Sequence, residues 1–99
     1  MKLKQGVKIT GISPELVLGL CIANTIFQSF GCELVITSAF DGVHMQGSKH
    51  YRGQAVDLRI KNIPEVSTTL RIVTALQNSL PGFDVVLEKD HIHLEYDPK

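Results

Sequence analysis

Two short segments carry side chains that could share one metal ion. The first runs Ser48-Lys49-His50-Tyr51-Arg52-Gly53-Gln54-Ala55-Val56-Asp57-Leu58-Arg59, the second Asp90-His91-Ile92-His93. His50, Asp57 and His93 supply two imidazoles and a carboxylate, a set that on a catalytic zinc ion leaves the fourth position open for water. The chemistry is hydrolysis, because such an ion lowers the pKa of its water and polarises a carbonyl. A carboxylate must then take the proton and pass it to the leaving amine. Asp90, in a turn three residues before His93, is the candidate, with Glu88 in reserve. His91 shares the ligand face of its strand and could donate a hydrogen bond to the developing oxyanion.

The elements around these residues must bring them together. Gly53 lies between His50 and Asp57 and lets the chain turn sharply before a strand begins. From Gln54 onward Val56, Leu58 and Ile60 alternate with Ala55, Asp57 and Arg59, and further on Ile92, Leu94 and Tyr96 alternate with His91, His93 and Glu95. Each strand therefore has an apolar face for the core and a polar face for solvent. If the two are antiparallel neighbours, Asp57 and His93 sit side by side, with His50 folding over from the preceding loop.

The rest of the chain supplies the support. Ser13-Pro14-Glu15 reads as a helix start, with Ser13 as N-cap. Leu16, Leu20, Ala23, Phe27 and Phe30 form its apolar stripe, and Gly31 ends it. A strand is expected over Leu34 to Phe40, then a polar loop from Asp41 to Lys49. Pro64 opens a second helix with the stripe Val66, Leu70, Val73, Leu76 and Leu80, which Pro81-Gly82 stops. Phe83 to Leu87 and His91 to Tyr96 read as a hairpin around Glu88-Lys89-Asp90. The order helix, strand, strand, helix, strand, strand predicts an α+β fold: a small antiparallel sheet with two helices packed on one face and the zinc site on the other. Residues 1–99 read as a single domain.

Composition narrows the partners. Ten basic and ten acidic side chains cancel, so there is no basic stripe to track a phosphate backbone, and nucleic acid is not expected. No stretch approaches the ~20 apolar residues of a membrane span, and no signal peptide is read at the N-terminus. The protein is expected to be cytoplasmic at synthesis and monomeric. Cys21 and Cys32 read as ordinary small buried residues, too few for a four-cysteine zinc site.

The pattern Ser48-x-His50-x-x-Gly53-x-Ala55-x-Asp57, followed by Asp90-His91-x-His93, resembles the zinc D-Ala-D-Ala carboxypeptidase family of peptidoglycan peptidases. That family includes phage endolysins that cut L-alanyl-D-glutamate bonds, and it shares its fold with the hedgehog signalling domain. The resemblance spans roughly Val35 to Tyr96. It implies that His50, Asp57 and His93 bind Zn²⁺, that Asp90 is the general base, that Ser48 and His91 support the site, and that the substrate is a peptidoglycan peptide, for which Ser48 and Arg52 are the candidate binding residues. A phage-type enzyme would reach the cell wall on lysis. Many relatives carry Ser-Gly-Tyr-Arg on the preceding strand, where the arginine holds a substrate carboxylate or the transition-state oxygen. Here the stretch is Ser38-Ala39-Phe40-Asp41, and Arg52, Arg59, Lys49 and His44 are the candidates to compensate.

Plainer roles are assigned where the pattern adds nothing. His44 reads as a structural or surface residue, Arg59 as an ion-pair partner for Asp57 or Glu95, and Gly47, Gly53 and Asp41-Gly42 as turn residues. Two functional classes follow: a zinc peptidase, favoured by the retained acid at position 90, and a catalytically inactive zinc-stabilised binding domain, favoured by the missing arginine.

Overall fold

The computed structural model describes residues 1–39 and 54–98. Its elements in chain order are β1 (Lys2–Leu3), α1 (Pro14–Ser29), β2 (Val35–Ala39), β3 (Ala55–Arg59), α2 (Val66–Ser79), β4 (Phe83–Leu87) and β5 (His91–Tyr96). The fold is α+β, with two helices and a five-stranded sheet in the order β1-β2-β3-β5-β4. The sheet is mixed, not wholly antiparallel as expected. β1 runs parallel to β2, with Lys2 opposite Val35 and Leu3 opposite Ile36, while the other pairs are antiparallel. A strand of two residues has no alternation to read, so only its neighbour reveals it.

Helix α1 starts as its sequence dictates. Ser13 Oγ accepts the Leu16 N–H at 3.1 Å, which satisfies one of the donors left open at a helix N-terminus. At the other end Gly31 takes φ +71°, a conformation that side chains with a Cβ rarely adopt. Leu16, Leu20, Ala23 and Phe27 are buried as the stripe requires, and Phe30 is half-buried with the Arg71 guanidinium 5.3 Å from its ring centre. Gly19 is fixed by packing, since a Cβ there would lie 2.5 Å from the Phe83 ring.

The face of α2 differs from expectation in its first turns only, since Val73, Leu76 and Leu80 are buried as the stripe requires. Val66 and Leu70 are 77% and 51% exposed, whereas Thr69, Ile72, Val73 and Leu76 are buried. The helix is therefore turned away from the stripe anchored on Val66. Thr69 can occupy the core because its hydroxyl reaches back to the Glu65 carbonyl at 3.4 Å, leaving its methyl free to pack. Glu65 caps the helix by backbone geometry alone.

The core lies between the helices and the apolar face of the sheet. Leu34 and Ile36 of the β2 segment, Val56 and Leu58 of β3, and Ile92 and Leu94 of β5 meet Leu16, Leu20 and Phe27 of α1 and Ile72 and Leu76 of α2. Burying a side chain of this size removes ~1.5–3 kcal/mol of unfavourable hydration. The alternation of β3 and β5 is thereby locked, because a slip of one residue would drive Asp57 and His93 into this core. Cys32 is buried, but Cys21 is exposed on α1, contrary to expectation, and both thiols are free. Among the described residues no helix is long and apolar enough to cross a membrane.

Candidate metal centre

β3 and β5 are neighbours, and their register sets Asp57 opposite His93, with Arg59 opposite His91 and Ala55 opposite Glu95. The hairpin that delivers β5 is closed by the Glu88 N–H donating to the His91 carbonyl at 2.8 Å. On the polar face of these strands five side chains form an alternating series of carboxylates and imidazoles. His91 Nδ1–H donates to Asp90 Oδ1 at 2.7 Å, and His91 Nε2 lies 3.5 Å from Asp57 Oδ1. The same Asp57 oxygen is 3.2 Å from His93 Nδ1, and His93 Nε2 is 2.8 Å from Glu95 Oε1.

The electrostatics follow from that order. A carboxylate faces each ring nitrogen of His93, so both nitrogens are donors and the ring is held as imidazolium. Its pKa is raised to about 9, chiefly by the hydrogen bond to Asp57, with burial opposing and Glu95 adding a further rise. The hydrogen bond from His91 holds the Asp90 carboxyl below its ordinary value. Asp90 is therefore ionised at neutral pH, as a base must be. Its side chain is 87% exposed, whereas that of Asp57 is 17% exposed.

The donors fit one ion in part. A tetrahedral zinc with bonds of ~2.0–2.1 Å keeps its ligand atoms ~3.3 Å apart, close to the 3.2 Å between Asp57 Oδ1 and His93 Nδ1. Behind them Glu95 holds the far nitrogen of His93, the position from which a carboxylate fixes the orientation of a metal-ligating histidine. Asp57, His91 and His93 do not bring three donors within 4.8 Å of one another. Among the described residues only Asp84, Glu95 and Asp97 do so, and carboxylates often cluster in this way without an ion. A third ligand for the Asp57–His93 pair must come from elsewhere in the chain. His50, Ser48 and Arg52, with His44, Lys49 and Asp41, lie outside the described residues.

Two neighbours behave differently from their sequence reading. Arg59 makes no ion pair with Asp57 or Glu95; the register sets it opposite His91 and sets Glu95 opposite Ala55, towards the other end of β3. Glu95, expected only as an ion-pair partner for Arg59, is instead the partner of His93. Its place two residues after His93, on the same face of a strand, is the signal that marks it. Asp57, Asp90 and His91 line a groove of about 440 Å³ that Lys4, Arg59 and Lys61 flank. No protein-family model matches the chain, and no curated protein or solved structure matches it either.

Proposed function

We propose that this protein is a zinc-dependent peptidase that hydrolyses peptide bonds in peptidoglycan stem peptides, as a carboxypeptidase or an endolysin-like endopeptidase. The observation that carries the reading is the paired edge of Asp57 Oδ1 and His93 Nδ1 at 3.2 Å, backed by Glu95 on the far nitrogen. With His50 as third ligand, these residues form the set that the motif spacing predicts. When bound, the ion would acidify a water and polarise the scissile carbonyl.

The chain's own groups supply the remaining chemistry. Asp90, ionised and on the wall of the groove, takes the proton from the attacking water and returns it to the leaving amine. His91 is steered by Asp90 at Nδ1 and stands between the base and Asp57, from where Nε2, when it carries the second ring proton, donates to the oxyanion. Glu95 keeps His93 from rotating, so the ligand edge is ready before substrate arrives.

The second reading is a zinc-stabilised binding domain without catalysis, and Asp41, standing where relatives carry arginine, is what favours it. Incubating the zinc-loaded protein with purified peptidoglycan and identifying released fragments by mass separates the two. The peptidase reading predicts a single type of cleaved bond, and intact stem peptides after prolonged incubation would leave the binding domain.

A further inference from the structure

The two helices cover one face of the sheet, and their outer surface is almost uncharged. Of the 99 residues 20% are charged, yet among the 16 residues of α1 only Glu15 is, and among the 14 of α2 only Arg71. A helix on the surface of a domain ordinarily turns a charged stripe to solvent. α1 instead turns out Val17, Leu18 and Ile22, which are 44%, 66% and 43% exposed, with Cys21 and Thr25 exposed beside them. Surface that is apolar and depleted of charge is the mark of the centre of a protein–protein interface.

The two charges stand at opposite ends of this layer. Glu15 and Leu18, in the first turns of α1, share a groove of about 350 Å³ with Ser79 and Leu80 at the end of α2. Phe30, just past the other end of α1, lines a second groove of about 310 Å³ with Arg71 and Thr74. The helices are therefore antiparallel, and a rise of ~1.5 Å per residue puts roughly 22 Å between Glu15 and Phe30. The Arg71 guanidinium lies 5.3 Å from the Phe30 ring centre, a contact that positions it without neutralising it. Among the described residues neither Glu15 nor Arg71 forms an ion pair.

We propose that a second copy of this chain covers the helix layer, in a two-fold dimer that sets Glu15 of each copy on Arg71 of the other. A two-fold interface brings residue i to j and j to i, so a surface with one acid and one base at opposite ends is complementary to itself. Leu18 and Ile22 lie between the two charges and are covered by the same stretch of the second copy. Two helices ~10–12 Å across and ~22–24 Å long present roughly 500 Å² per copy, which brings the total to about the 1,000 Å² at which specific interfaces begin. The dimer is therefore reversible and concentration-dependent, in place of the monomer expected from the sequence. The Asp57–His93 edge is on the opposite face of the sheet, so neither claim depends on the other.

Sedimentation velocity of the full chain, with and without zinc, tests this. The mass of the parent should rise with concentration from one chain to two. Leu18→Asp puts a carboxylate into the apolar centre from a position exposed in the single chain, and should weaken association at least ~10-fold. Glu15→Arg and Arg71→Glu should each stay monomeric where the parent dimerises, because each sets like charges together. An equimolar mixture of these two variants should dimerise again, since both contacts are then between opposite charges. Circular dichroism identical to the parent's establishes that each variant is folded. A parent that remains a single chain at its highest soluble concentration, a dimer that all three changes leave intact, or charge variants that stay apart when mixed would overturn the proposal.

Discussion

Asp57 and His93 are direct partners across β3 and β5, and the Asp57 Oδ1 to His93 Nδ1 distance is 3.2 Å. Thirty-six residues separate them in the chain, so their meeting is a product of the sheet register and of the core that locks it. A slip of either strand by one residue would turn its own side chain into the core and so separate the carboxylate from the imidazole.

Metal content should follow this pair. The purified protein is expected to hold one zinc per chain, and His50→Ala or His93→Ala should reduce it sharply in elemental analysis. Glu95→Gln keeps both donors but loosens the orientation of His93, and should weaken zinc affinity by ~10–100-fold. Full zinc occupancy in His50→Ala would remove that residue from the ligand set.

The metal-free protein should lose stability at alkaline pH. The folded-state pKa of His93, about 9, is above its unfolded value near 6.5. The stabilisation is therefore complete below about pH 6.5 and disappears as pH rises through about 9, on the order of 3 kcal/mol in all. Thermal melts in chelator across this window should show Tm falling, and His93→Gln should flatten the dependence. Zinc must displace the same proton, so its affinity should rise over the same window.

Proton transfer should depend on position 90. Asp90→Asn keeps the shape and the fold while removing the basic oxygen, and should lower the rate of stem-peptide cleavage by ~10²–10⁴ with zinc content unchanged. Glu88→Gln should do much less. The reverse ranking would make Glu88 the base.

The rotated face of α2 gives a stability test independent of the site. Leu76 is fully buried and Leu70 half exposed. Leu76→Ala should cost ~2–5 kcal/mol, and Leu70→Ala should stay within ~0.5 kcal/mol. Comparable losses in urea melts would restore the face anchored on Val66.

Where side-chain periodicity was strong, the sequence was sufficient. The alternations around Asp57 and His93 located β3 and β5 and put both residues on polar faces, while the side-by-side placement was conditional on the two strands pairing, a condition the register meets. Ser13-Pro14 likewise marked the start of α1. Three features escaped for physical reasons. β1 is too short to show a period, and α2 buries Thr69 through a local hydrogen bond that composition does not reveal. Arg59 forms neither expected ion pair, and for Glu95 the reason is the register, which sets Arg59 opposite His91 and Glu95 opposite Ala55 and which residue types do not give.

If the Asp57–His93 edge, completed by His50, holds the zinc ion that hydrolyses stem peptides, cleavage must follow zinc occupancy. The most direct measurement titrates zinc into metal-free protein while following release of new amino groups from purified peptidoglycan. Activity should rise to a plateau at one equivalent of zinc in the parent, with Asp57→Ala inactive at the same zinc concentration. Cleavage that persists undiminished in chelator, or that is equal in Asp57→Ala and parent, would contradict it.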